Sequence, residues 1–213
     1  MTHSRVSACM VGTIVALLGS VAAAQELTPT VAADTSLGES STMRLGVVLS
    51  PMPAGTLKGS VGGFSGESDT KFAFGIVPTF DYSLNQFLFI GLAPQFIFNV
   101  KSDDSGDSDA AQELDLRARI GGIAKVADTI RVFGYAAPGY SIVMLPDQFE
   151  GIDNPAGFVL GFAAGAAFDL APSTYVSAEI GYQLGYQSTK VLNNDADFKT
   201  NYMHLGVGLG FRL

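Results

Sequence analysis

From Met43 onward, apolar stretches of about 8 to 15 residues show the alternation of apolar and polar residues that is typical of β-strands. The connections between these stretches are alternately long and short. We expect four long connections, at 52–70, 101–112, 145–155 and 188–197, and three short ones, at 84–86, 127–128 and 171–173. Seven connections join eight strands, and they place both chain ends on the side of the short turns.

The two faces of each predicted strand differ in charge. One face carries large apolar side chains, such as Leu45 and Leu49 in the first strand and Leu205 and Leu209 in the last. The other face carries Gly, Ser, Gln and the ionic groups. The charged residues on this second phase are Arg44, Asp81, Asp115, Arg117, Arg119, Lys125, Arg131, Asp169, Glu179 and Arg212.

Alternation alone does not say which face is enclosed, and a soluble sandwich or barrel would enclose the apolar one. Composition favours the opposite arrangement, because 47% of the 213 residues are hydrophobic and only 15% are charged. With the asymmetric connections, this predicts an all-β, eight-stranded antiparallel up-and-down barrel whose apolar face meets lipid. The sheet must close, since an open edge is not tolerated in hydrocarbon.

The first 42 residues have a different pattern. Arg5, a short apolar run and the Ala-rich segment before Gln25 predict a secretory signal peptide over 1–24. Residues 25–42 lack periodicity, and we expect a flexible periplasmic leader. The barrel domain then spans 43–213. Cys9 is the only cysteine, so the predicted mature chain has no thiol.

Two features interrupt the alternation. Pro78, Pro94 and Pro138 lie inside predicted strands, where a missing N–H is unfavourable, and we interpret them as bulges or bends in the wall. Four aromatic residues fall on the inward phase, where we expect them to fill the lumen opposite glycines: Phe87, Phe89, Phe133 and Tyr135.

Charged groups are the main candidates for chemistry. Buried charges require partners, so we expect the inward charges to form an ionic network that plugs the periplasmic half of a narrow lumen. His204 is the only histidine after the predicted signal peptide, and counting back across the last connection places it beside Gly185, with Glu179 nearer Arg212. No catalytic triad assembles, and we expect neither catalysis nor a cofactor.

The acidic stretch at 103–109 has two interpretations. Its carboxylates could bind a divalent cation, or it could be a solvated surface loop, since the EF-hand spacing is absent. The net charge of −8 argues against nucleic acid as a partner. An acidic outer end instead suggests divalent bridges to lipopolysaccharide phosphates, beside contact with outer-membrane lipid.

The layout over 43–213 resembles the OmpA/OmpX-type small barrels and the broad outer-membrane β-barrel domain family. Its most specific element is the C-terminal strand, with Tyr202, Leu209, Phe211 and Leu213 as the signal that the barrel-assembly machinery reads in that family. The resemblance implies a Gram-negative outer-membrane location, and we expect a monomer. It leaves two functions open: a structural or surface-interaction protein, or a narrow porin-like channel or carrier for small or hydrophobic solutes.

Overall fold

The computed structural model describes residues 43–102, 110–147, 152–191 and 194–213. The predicted signal peptide and leader lie outside the described residues, as does the acidic stretch at 103–109. No helix in the described ranges is long and apolar enough to cross a membrane. The strands are β1 (Met43–Met52), β2 (Ala54–Val61), β3 (Phe64–Asp69), β4 (Ala73–Ser83), β5 (Leu88–Leu92), β6 (Gln95–Val100), β7 (Ala111–Ala127), β8 (Ile130–Met144), β9 (Ala156–Ala171), β10 (Thr174–Val191) and β11 (Asn194–Arg212).

The strands form a closed antiparallel ring with eight walls. The order is β1, β4, β5 with β6, β7, β8, β9, β10 and β11, and β11 pairs with β1 to close the ring. Leu45 lies opposite Phe211 at this closure. The predicted eight-stranded barrel is therefore confirmed, with β5 and β6 sharing one wall.

Two of the four predicted long connections are largely strand. In the region 52–70, β2 and β3 form a hairpin that extends the first wall beyond β1. Strand β2 pairs with β11, and Lys58 lies opposite Lys199. Gly62 and Gly63 have φ of 56° and 89°, as a two-residue hairpin turn of this type requires. Likewise, β10 and β11 stay paired as far as Val191 opposite Asn194.

The sequence pattern did not predict these extensions as strands, for a physical reason. Their faces carry polar or small residues on both sides, as in the segment from Ser65 to Asp69, so no apolar alternation marks them. We refer to the end with these extensions as the hairpin end. The opposite end, with connections after Ser83, Ala127 and Ala171, is the turn end.

Alternation places the apolar residues on the outer surface of the ring. Leu45, Leu49, Leu205 and Leu209 are all exposed, as predicted, and the intervening residues are largely buried. Among the four inward aromatics, Phe89 is buried, whereas Phe87 lies at the turn end and is exposed. The exposed apolar band is the surface that lipid covers.

The prolines differ from the predicted bulges. Pro78 and Pro138 lie within continuous strands, and Pro94 lies in the break between β5 and β6. Register shifts occur instead at the ends of strands, for example between Ile97 and Val100. There Asn99 adopts a φ of 64°, and its side-chain amide donates to the Phe72 carbonyl.

We expect Val207→Arg to destabilise the folded barrel by about 2 to 4 kcal/mol, because Val207 is exposed near the middle of the apolar band. Urea titration in lipid vesicles measures the loss. Phe64→Arg is the control, since Phe64 is exposed in the β2–β3 hairpin beyond the apolar band. Equal stability of the two variants would contradict the position of the band.

Candidate functional site: the charged lumen

Nine of the ten candidate charges are buried or half-buried within the ring. Six lie deep in the lumen, and three lie partly exposed at the turn end. The deep residues are Arg44, Asp81, Asp115, Arg117, Arg119 and Glu179, and the residues at the turn end are Arg131, Asp169 and Arg212.

Lys125 is the exception. It has the inward phase, but it lies at the end of β7, where its side chain is 55% exposed and pairs with Asp128 at 3.1 Å. At this end of β7 the lumen is open to water, so a side chain that points inward is not buried there. Lys125 therefore does not take part in the expected network.

At the turn end, Asp169 joins two arginines from different strands. One carboxylate oxygen accepts from Arg131 of β8, and the other accepts from Arg212 of β11. The Arg212 guanidinium also lies over the Tyr175 ring, 5.1 Å from its centroid. This contact links β8, β9, β10 and β11 across the mouth of the lumen.

Deeper in the lumen, two arginines enclose one aromatic ring. Phe89 lies 5.0 Å from the Arg44 guanidinium and 5.5 Å from that of Arg119. Arg119 pairs with Asp81 at 3.3 Å and lies over the Tyr135 ring at 4.0 Å. The inward aromatic residues therefore contact the charges directly, which the sequence analysis did not anticipate.

Glu179 and His204 are neighbours, contrary to the expectation that His204 lies beside Gly185. The continuous β10–β11 ladder places Gly181 opposite His204, and His204 Nε2 lies 3.8 Å from Glu179 Oε1. The same carboxylate accepts a hydrogen bond of 2.8 Å from the Tyr135 hydroxyl. The prediction that His204 lies beside Gly185 was wrong because it assumed a different register between β10 and β11.

Towards the hairpin end, a network of amides and carboxylates crosses the lumen. Gln183 joins Arg117 to Asp115: its amide oxygen accepts from the guanidinium at 3.0 Å, and its nitrogen donates to the carboxylate at 2.7 Å. Glu113 accepts from Ser141 at 2.7 Å and from Gln187 at 3.2 Å.

Three members of this network were not predicted from the sequence: Glu113, Gln183 and Gln187. Glu113 shares the phase of Asp115 and Arg117 and directly follows the predicted connection at 101–112, so the same alternation identifies it. The glutamines carry no charge, and their inward phase was the only signal.

An apolar cluster covers this network on the side of the hairpin end. Its members are packed against one another and are almost entirely inaccessible: Met52, Ala73, Ile97, Val100 and Tyr202, with Ala111 packed against them. At the turn end a cavity of about 40 Å³ remains, lined by Arg44, Arg119, Arg131 and Arg212 among others. This volume suits a few water molecules.

The residues proposed as an assembly signal lie on two faces of the C-terminal segment 202–213. Leu209, Phe211 and Leu213 are exposed on the lipid side, whereas Tyr202 is fully buried on the lumen side. Residues of even and odd number face opposite ways along a strand, so Tyr202 does not belong to the outer aromatic edge.

These features define an outer-membrane β-barrel with a filled, polar lumen. The model of the outer membrane protein beta-barrel domain matches residues 12–211, and the chain belongs to this family. The protein resides in the outer membrane, and the turn end faces the periplasm because short turns do so in such barrels.

Solved structures similar to this chain share little sequence with it. OprG from Pseudomonas aeruginosa has a TM-score of 0.59 at 11% identity, covering 81% of this chain and 95% of that one. Neisserial surface protein A has a TM-score of 0.47 at 15% identity, covering 79% and 97%. The outer membrane protease OmpT from Escherichia coli has 0.47 at 12% identity, covering 81% and 97%. A search of curated protein sequences found no match.

We expect Asp81→Asn to lower the free energy of unfolding by about 3 to 5 kcal/mol, because it leaves the buried Arg119 without its counter-charge. The midpoint of urea unfolding in detergent micelles measures this loss.

Asp128→Asn is the matched control, since it breaks an ion pair in which Asp128 is fully exposed to water. We expect no measurable shift for this variant. A similar midpoint for both variants would refute the importance of the lumen pair.

Proposed function

We propose that the protein is a structural or surface-interaction barrel with no diffusion channel and no catalytic activity. The observation that carries the proposal is the filling of the lumen between its two ends. Glu113, Asp115, Gln183 and Tyr202 have no accessible surface at all. A solute would have to displace both the apolar cluster and the hydrogen-bonded network to pass.

The balance of charges inside the lumen supports a structural role for the protein. The inward groups comprise equal numbers of cations and anions: Arg44, Arg117, Arg119, Arg131 and Arg212 against Asp81, Glu113, Asp115, Asp169 and Glu179. Loss of one partner from a buried ion pair, such as Arg119 with Asp81, would leave the other charge uncompensated, so such pairs hold the walls together. They do not present the one-sign ring that selects ions in a channel.

The burial of His204 argues against catalysis. His204 is only 5% exposed, and its nearest acid, Glu179, is engaged by Tyr135 inside the lumen. A general base must reach a bound substrate. An enclosed pair does not offer that access.

The external face is the place where we propose that interaction occurs. The segments 58–71, 101–109, 147–153 and 190–199, parts of which lie outside the described residues, carry more carboxylates than lysines. The acids are Glu67, Asp69, Asp103, Asp104, Asp107, Asp109, Asp147, Glu150, Asp153, Asp195 and Asp197, against Lys58, Lys71, Lys101, Lys190 and Lys199. Divalent cations would bridge these carboxylates to lipopolysaccharide phosphates around a monomer.

We expect purified protein in planar bilayers to give no steady single-channel currents, because the lumen is filled along its length. Conductance recording measures this directly. A combined Tyr202→Ala and Gln183→Ala variant tests the cause, since it removes two fully buried side chains of the plug. Steady currents from the wild type would overturn the scaffold proposal.

A break in the wall favours one second candidate, a carrier for small hydrophobic solutes. Pro78 and Pro94 lie opposite each other, between the paired residues Phe80 with Leu92 and Ile76 with Phe96. Neither proline has an N–H to donate, so the ladder between β4 and its neighbour is interrupted there. A lateral route into the bilayer would use this position.

The carrier predicts that Pro94→Val slows the uptake of a hydrophobic dye into vesicles containing the protein, because a restored N–H closes the ladder. Pro138→Val is the control, since Pro138 lies in a continuous strand. Uptake equal to that of protein-free vesicles would exclude the carrier.

A further inference from the structure

Unpaired acceptors collect in the outer half of the lumen. Four buried oxygen atoms there have no hydrogen-bond partner among the described residues: Glu113 Oε2, Asp115 Oδ1, Gln95 Oε1 and Gln187 Oε1. Each belongs to a side chain that is at most 2% exposed. Burying an acceptor without a donor costs about 1 to 3 kcal/mol, and more for a charged group.

The two carboxylates face each other at close range. Glu113 and Asp115 are two residues apart on β7, so both point into the lumen, where their side chains are in contact. Each has one oxygen that accepts hydrogen bonds, Glu113 from Ser141 and Asp115 from Gln183, and one that accepts none. Two carboxyl groups are therefore held together where neither has accessible surface.

Arg117 does not neutralise this pair by direct contact. Its guanidinium donates to the Gln183 side chain at 3.0 Å and to the Ala93 carbonyl at 3.4 Å. The Gln183 amide lies between the Arg117 guanidinium and the Asp115 carboxylate. Four buried oxygen atoms of this group therefore receive no donor from Arg117.

Neutral oxygens from other strands complete the surroundings. The Gln187 amide adjoins Glu113, to which its nitrogen donates, and its own oxygen is left over. Gln95 lies directly opposite Asp115 in the neighbouring strand. The Tyr202 hydroxyl faces both carboxylates and lies within hydrogen-bonding reach of Glu113.

We propose that these residues bind one divalent cation of the Ca²⁺ class within the barrel. Ca²⁺ takes six to eight oxygen ligands in flexible geometry, from carboxylates, amide carbonyls and water. Mg²⁺ fits less well, because it dehydrates reluctantly and requires near-ideal octahedral geometry. The described residues contain no group of three His, Cys, Asp or Glu that could hold a metal, so the amide and phenol oxygens are essential to this site.

The proposed ion would join walls on opposite sides of the lumen, in addition to the hydrogen bonds from Gln183 and Gln187 that already cross it. Its ligands come from β6, β7, β10 and β11, on opposite sides of the lumen. It lies directly below the apolar cluster, to which Tyr202 also belongs. Binding would therefore stabilise the folded barrel by mass action.

The test uses the full chain, refolded into detergent micelles in EDTA or with Ca²⁺. The midpoint temperature of the heat-induced gel shift is expected to rise with Ca²⁺. Tb³⁺, an oxygen-seeking substitute for Ca²⁺, reports the site directly, since Tyr202 would sensitise its luminescence and the chain has no tryptophan. Added Ca²⁺ should quench this emission by competition.

Variants separate the lumen site from the acidic loop. Glu113→Gln is expected to weaken Tb³⁺ binding by about tenfold or more, since substitution of even an outer-shell partner commonly costs that much. Tyr202→Phe should remove most of the emission, whereas Tyr186→Phe, an exposed control, should retain it. A variant with Asp103, Asp104, Asp107 and Asp109 all changed to Asn should keep both the emission and the Ca²⁺-dependent midpoint.

Two results would overturn the proposal. An unchanged midpoint with Ca²⁺, together with absent Tb³⁺ emission from the wild type, would mean that the carboxylates share a proton or bind water only. Emission that persists in Glu113→Gln and is lost in the loop variant would assign the cation to the loop. If Glu113→Gln does not fold, the Tyr202→Phe and wild-type measurements still decide between these outcomes.

Discussion

Backbone hydrogen bonding in lipid is the constraint on which this structure depends. A strand in hydrocarbon has no water to satisfy its N–H and C=O groups, so every strand must pair on both edges. The pairing of β1 with β11 closes the ring and meets this requirement. Once the ring is closed with eight walls, the interior is only wide enough for side chains. The contents of the lumen follow from that width.

A narrow polar interior must satisfy its own groups. Asp169 holds two arginines at the periplasmic mouth, and Asp81 pairs with Arg119 deeper in the lumen. Aromatic rings fill the space between guanidinium groups, as Phe89 does between Arg44 and Arg119. Glycine allows this packing where a side chain would collide: a Cβ at Gly121 would lie 2.7 Å from the Phe89 ring.

The two halves of the lumen balance charge differently. In the periplasmic half, arginines contact carboxylates directly. In the outer half, Glu113 and Asp115 are surrounded by amides and hydroxyls, and Arg117 reaches them only through Gln183. The periplasmic half is therefore an ordinary cluster of ion pairs. The outer half is a group of oxygen atoms with the composition of a cation site.

The alternation of residues by itself determined the barrel, the lipid-facing residues and the inward direction of the charges, because side chains on a strand alternate between two faces. Its failures have physical causes: Lys125 lies beyond the enclosed part of the lumen, and the polar hairpin of β2 and β3 has no apolar phase to reveal it. Only the tertiary structure decided which groups meet. Arg119 and Asp81 are 38 residues apart, and Gln187 and Glu113 are 74 apart. Such contacts cross the lumen between walls whose relative height depends on register and tilt around the whole ring, and local periodicity carries no information about that height.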